Sequence, residues 1–177
     1  NLTFASGQIG TIAAGARLDL YGLGLISNAA DLAHNSALAG LSSIAGVFDL
    51  AYGETVAVGN DVSIAAGGQW LIDGDSFSGQ GNSRVTIAGT LTNAGALTIG
   101  VPTGNAPGPT HVSADGLINT GAITLTGNFD AGSSASATLA IAAAAGFGAA
   151  GILTGTVRMN GQAHLEFASG QIGTVAS

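Results

Sequence analysis

Cysteine and lysine are both absent from this 177-residue chain. Without cysteine there is no disulfide, no thiolate-bound zinc and no thiol nucleophile. Arg17, Arg84 and Arg158 are the only fixed cations, set against ten acids for a formal net charge of −7. A surface that neutralises phosphates cannot be assembled from three arginines, so nucleic acid is excluded as a partner. The same charge balance repels anionic membrane surfaces. The longest apolar run, Leu139 to Ala145, is mostly alanine and falls far short of the roughly 18 residues of a membrane-spanning helix. No membrane insertion by this segment is expected. No basic stretch followed by an apolar one opens the chain, so any export signal is expected to lie outside it. Aromatics make up only 5%, which denies the chain a large aromatic centre.

What is present is small and apolar: 46% hydrophobic residues, mainly Ala, Val, Leu and Ile, with 30 glycines. Such a composition favours thin, repetitive layers over one globular core. Repetition is visible at two scales. Leu2-Thr3-Phe4-Ala5-Ser6-Gly7-Gln8-Ile9-Gly10-Thr11-Ile12-Ala13 returns as Leu165-Glu166-Phe167-Ala168-Ser169-Gly170-Gln171-Ile172-Gly173-Thr174-Val175-Ala176, an offset of 163 residues. Residues 1–177 therefore read as one solenoid repeat unit followed by the opening of the next copy.

Within the unit, an apolar-x-apolar-x pattern recurs at Val62, Val85, Val112, Leu139 and Leu165, in steps of 23, 27, 27 and 26 residues. Leu91 to Ile99 matches Leu117 to Leu125 position by position, with an Asn-x-Gly in each. Alternation makes a short strand with one buried face, and Asn or Gly permits the left-handed backbone of a corner. Strand and corner in alternation build a coil, and coils stacked about 4.8 Å apart seal one another's cores. Asn93 and Asn119, one coil apart, are expected to stack as a structural side-chain ladder. Val62, Val85, Val112 and Leu139 are expected to form one buried column.

The Gly-x-Leu-x-Asn-x-Gly-x-Leu wording of Gly89 to Ile99, with its counterpart from Gly116 to Leu125, resembles the passenger regions of autotransporters and of filamentous-haemagglutinin-type, two-partner secreted adhesins. The resemblance spans roughly residues 54 to 177 and 1 to 21. It implies an all-β fold, a right-handed parallel β-helix. It further implies a secreted protein of the bacterial cell surface, anchored at the outer membrane and active in adhesion, aggregation and biofilm formation.

Residues 27 to 50 depart from the pattern. Leu38, Leu41, Ala45 and Phe48 lie at helical spacing after candidate caps Asn28 and Asp31, which predicts an irregular or partly helical insertion that leaves the solenoid. Tyr21 and Tyr52 flank it and are expected to pack it down. Val101 to Pro109 holds all three prolines and reads as a corner loop.

Candidate chemistry is sparse. Trp70 precedes an acidic turn, and a tryptophan beside carboxylates can stack a sugar ring, so Trp70, Asp73 and Asp75 form the ligand-contact candidate; the favoured use of Trp70 itself is to fill the core or cap a groove beneath the insertion. Asp73-Gly74-Asp75-Ser76-Phe77-Ser78-Gly79 has the spaced oxygens of a calcium loop, but Phe77 and Ser78 spoil the pattern. It reads as a polar turn. His34, His111 and His164 follow no metal or triad spacing, and Gly22-Leu23-Gly24 and Gly79-Gln80-Gly81 read as corners and not phosphate loops. No catalytic residue, metal or cofactor is expected. The leading expectation is a rod-like, adhesive repeat whose partners are neighbouring repeats of the same chain and host or bacterial surface glycans or proteins. One alternative is a carbohydrate-active enzyme or glycan-binding module, which requires Asp61, Asp73 and Asp75 to converge. Another is a calcium-dependent β-sandwich adhesin repeat, which requires antiparallel strands.

Overall fold

A computed structural model describes residues 1–75 and 81–176. It is an all-β solenoid of about six turns, with parallel coils stacked one on the next. Every pairing between its named strands is parallel, which rules out the antiparallel sandwich.

Each coil, or floor, runs through three faces. On the first, Thr55–Val58 pairs with the start of Arg84–Asn93, which continues through Thr110–Asn119 and Ala137–Ala144 to Ala163–Ser169. Leu2–Phe4 and Ile26–Asn28 form a separate pair. The second face carries Thr11–Ile12, Ser43–Ile44 and Val62–Ile64, then the far halves of the long strands. Arg17–Tyr21, Val47–Ala51, Gln69–Ile72, Ala96–Ile99, Ala122–Thr126 and Thr156–Asn160 make the third.

Inward positions stack like on like, because within each face the parallel register puts equivalent residues about 4.8 Å apart, the register shifting between Ile87 and Thr90 and between Ile141 and Ala144. Val56, Val85, Val112, Leu139 and Leu165 form one column, and the first four are fully buried. Val62 does not belong to it, contrary to the sequence expectation. It pairs with Leu91 on the second face, and Val56 takes its place. The floor from 55 to 72 contains two apolar-x-apolar runs. Alternation says which side of a strand is buried but not which side of the coil the strand occupies.

The third face stacks Leu18, Phe48, Trp70, Leu97, Ile123 and Val157 in one column and Leu20, Leu50, Ile72, Ile99, Leu125 and Met159 in the next. Phe48 and Trp70 are parallel rings with centroids 5.6 Å apart, both with no exposed surface.

At the corner between second and third faces, glycine is imposed by crowding. A Cβ on Gly95 would lie 2.3 Å from the Gly68 carbonyl oxygen, and one on Gly121 would lie 2.2 Å from that of Gly95. Neither has a positive φ. The glycine of Asn-x-Gly is therefore required by close stacking of corners, where the sequence pattern suggested left-handed geometry.

No α-helix forms among the described residues, and the predicted insertion does not leave the solenoid. Its one helical feature is a 3-10 turn, Ser36–Leu38. The turn lies between Ile26–Asn28 and Thr55–Val58: the Asn35 side chain accepts from the Ile26 amide at 2.9 Å and donates to the Thr55 carbonyl at 2.9 Å. Ala37, Leu38 and Leu41 are fully buried, while Phe48 sits on a strand. The helical spacing was a by-product of filling a core from a turn and two strands. Asn28 and Asp31 serve as Asx turns, accepting from the Ala30 and Ala33 amides, because short polar side chains satisfy backbone locally. Tyr21 and Tyr52 meet edge to face, 6.2 Å apart.

Candidate functional site

The three ligand-contact candidates do not form an open site. Trp70 faces inward against Phe48, with its indole Nε1 buried and unbonded, so its ring cannot meet a sugar. Its alternation with exposed Gln69 is the local cause, since inward and outward positions on a strand alternate strictly.

Asp73 has no exposed surface either. It closes the third face in a left-handed conformation, φ 53°, which Asp tolerates better than most residues. Its carboxylate accepts from the Tyr52 amide at 3.2 Å, the Ser83 amide at 3.1 Å, the Ser83 hydroxyl at 2.8 Å and the Thr110 hydroxyl at 2.6 Å. Those donors come from the floor before and the two floors that follow, so Asp73 acts as a staple between floors, with its four acceptor positions taken. Of the oxygen-rich turn, Ser76 to Gly79 lie outside the described residues, as does Gln80 of the Gly79-Gln80-Gly81 corner.

Asp75 keeps 24% of its side chain exposed, 3.7 Å from Arg17. Arg17 also bonds Asp19 at 2.6 Å and Asp49 at 2.7 Å, and Tyr21 donates to the same Asp49 oxygen at 2.7 Å. Burial pushes the Asp49 carboxyl above its usual range, Tyr21 and Arg17 pull it back, and the negative fields of Asp75 and Asp19 push it up again. Its second oxygen, Oδ1, is buried and unbonded. This network was missed from sequence, although Leu18-Asp19-Leu20 and Phe48-Asp49-Leu50 carry a signal: an acid flanked by two core residues at stacked positions. Asp61, required by the enzymatic alternative, stands at another corner, holding the Thr90 amide at 2.7 Å. It precedes the second face, whereas Asp73 follows the third.

The Asn pair does meet. Asn93 and Asn119 are buried at 0% exposure, and Asn93 Nδ2 donates to Asn119 Oδ1 at 2.7 Å and to the Ala122 carbonyl at 3.0 Å. Asn119 Nδ2 donates onward to the Thr154 carbonyl at 3.0 Å. The pair continues the Ile12, Ile44 and Ile64 column. Ile64 has no polar group for Asn93 Oδ1, which is left unbonded.

A groove of about 520 Å³ lies between the 29–42 connector and Thr55–Val58, lined by Asp31, His34, Asn35, Glu54 and Thr55 among others. His34 Nδ1 lies 2.9 Å from the Asp31 carboxylate, and this hydrogen bond holds the Asp31 pKa below its usual value. Burial raises that of Glu54, against the Asn35 hydrogen bond, whose Nδ2 donates to Glu54 at 3.1 Å. Glu54 Oε2 thus helps to fix the connector, and the Asp31–His34 pair and Thr55 face solvent. His111 stacks between Arg84 and Thr138, with His164 one floor further; burial, then Arg84, lowers its pKa. Among the described residues, no three His, Asp or Glu side chains are grouped to hold a metal ion.

No family model, curated protein or solved structure matches this chain.

Proposed function

We propose that the chain is a structural and adhesive repeat of a large secreted bacterial surface protein, a segment of a rod-like stalk. One observation carries this reading. The recurrence at residue 165 is seated as the next floor, with Leu165 on Leu139, Phe167 on Ile141 and Val175 on Leu153. A motif that opens the unit thus also continues it, as a molecule that lengthens by repetition needs. Hydrogen-bonded floors in series make a stiff spacer, and a weak contact on each copy is multiplied along the rod. The sequence resemblance to autotransporter passengers and filamentous-haemagglutinin-type adhesins agrees with that role. The partners are then neighbouring copies along the chain and glycans or proteins of facing surfaces.

The test is to display one, two and four copies in series on non-adherent cells, with a tag at the far end. At about 4.8 Å per floor, six floors add roughly 29 Å of stand-off per copy. Cell aggregation or attachment to glycan- and protein-coated surfaces should rise with copy number. Copies that neither lengthen the projection nor promote attachment would overturn the proposal.

A further inference from the structure

Both ends of the solenoid expose apolar side chains that belong to buried columns. Met159 is 48% exposed although Leu50, Ile72, Ile99 and Leu125 of its column are buried, and Leu2 is 50% exposed on the first floor. These are open floors, and the chain itself shows what fits one of them. Residues 165 to 176, a second copy of 2 to 13, already cover the sixth floor on the first two faces. There Phe167 meets Phe147 edge to face at 5.9 Å. Its equivalent, Phe4, is partly buried, as Phe167 itself is.

We propose that the third face of the sixth floor, Thr156–Asn160, is the docking edge for Arg17–Tyr21 of a following copy, so that the solenoid runs through the unit boundary without a break. The inference rests on the stalk reading above and adds the partner strand and its register. Val175 corresponds to Ile12 and pairs with Leu153. On the second floor, Ile44 pairs with Ile12 and Val47, three residues later, pairs with Arg17. Thr156 is likewise three residues after Leu153, which sets Thr156 against Arg17, Val157 against Leu18, Arg158 against Asp19 and Met159 against Leu20. Inward residues then face inward on both strands: Val157 and Met159 continue the Ile123 and Leu125 columns, and Leu18 and Leu20 open those of Phe48 and Leu50.

Charge agrees independently. Arg158, one of only three arginines, is the charged outward residue of the docking edge, stacked on Thr124. Its predicted neighbour, Asp19, borders Asp49 and Asp75, three acids that share Arg17 within one copy. Opposite charges directly across parallel strands are favourable, and like charges are not.

The experiment uses a chain in which residues 1–163 are followed directly by 1–177. It should unfold in one transition with a midpoint above that of the 177-residue chain, because the new interface couples the copies. Arg158→Asp in the first copy should lower the midpoint by roughly 2–4 °C, and Asp19→Arg in the second copy by a similar amount. Together they should recover most of the loss. The same Arg158→Asp change in the second copy, where no third face follows, should shift it much less. Two separate transitions, or reversals that simply add, would overturn the proposal. A second arm pairs Arg158→Cys in the first copy with Asp19→Cys in the second. Adjacent strands bring their Cα atoms within the roughly 4.4–6.8 Å of a disulfide, and the chain has no other thiol. Rapid intramolecular loss of both thiols on mild oxidation is expected, and thiols that stay free in the folded chain would refute the register. Neither readout depends on adhesion, so the junction can stand if the adhesive role fails, and the reverse.

Discussion

The middle floors, residues 84 to 126, and the first three floors use the same architecture with different chemistry. In the middle, successive strands match nearly residue for residue, the columns are aliphatic, and the buried polar residues are a pair of asparagines and the threonines Thr110 and Thr126 at strand ends. The first floors carry the aromatic stack, the buried carboxylates of Asp49, Glu54 and Asp73, and the connector with its 3-10 turn. A regular floor is held by identical neighbours above and below, so it needs little beyond small side chains and room at the corner. An irregular floor leaves backbone and core positions that no neighbour matches, and specific side chains have to close each gap.

Substitutions on the two sides should separate these modes of stabilisation. Trp70→Ala empties the largest fully buried side chain and should lose about 3–5 kcal/mol, measured by chemical denaturation; a loss under half of that would show that the stack is not a keystone of the early floors. Asp73→Ala strands four donors and should cost on the order of 3 kcal/mol. Hydrogen exchange should rise at Tyr52 and Ser83, and unchanged protection there would contradict the staple.

In the regular floors, Gly121→Ala drives a methyl into the Gly95 carbonyl and should cost about 1–3 kcal/mol. Asn93→Ala and Asn119→Ala should each cost about 1 kcal/mol, with a double variant less damaging than their sum. Strict additivity would mean that the ladder is only two separate corner bonds.

The smallest effect is one of pH, in which two carboxyls of the early floors oppose His111 of the middle floors, whose lowered pKa costs stability as pH falls. The Asp49 and Glu54 carboxyls both titrate above their ordinary values because they are buried. The folded state therefore holds those protons more tightly than the unfolded state. Their contribution to stability should rise as pH falls from neutrality toward the unfolded carboxyl range near ~4, and decline as pH rises through the folded values. Asp31 has the opposite sign, its stabilisation being lost as pH falls through its lowered value, but it is exposed and screened. The carboxyl contribution to the denaturation midpoint should thus grow as pH falls from neutrality, and Asp49→Asn with Glu54→Gln should remove that gain, leaving the loss due to His111.

Where neighbouring floors repeat the same words, the structure was legible from sequence. The match of Leu91–Ile99 to Leu117–Leu125 gave the register of two faces, and it brings Asn93 onto Asn119. Legibility failed where one local pattern admits two placements. Val62 and Val56 open equally good strands, and only the partner floor chooses between them. Leu38, Leu41 and Phe48 fit a helix as spacing and a core as volume, and volume prevailed. The favoured core use of Trp70 holds, whereas its alternative role with Asp73 as a ligand platform rests on adjacency to a turn, which suggests exposure. Both are buried for reasons that lie on other floors, in the ring of Phe48 and in the donors of Tyr52, Ser83 and Thr110.

By itself, the sequence determined that the molecule is built of short half-buried strands recurring about every 26 residues, because alternation and repetition are properties of neighbours along the chain. The tertiary structure alone decided which strand shares a column with which, that glycine at the corner is a matter of space, and that Asp19 and Asp49 meet around Arg17. Each of those depends on two segments brought together by stacking, and their separation along the chain carries no trace of it.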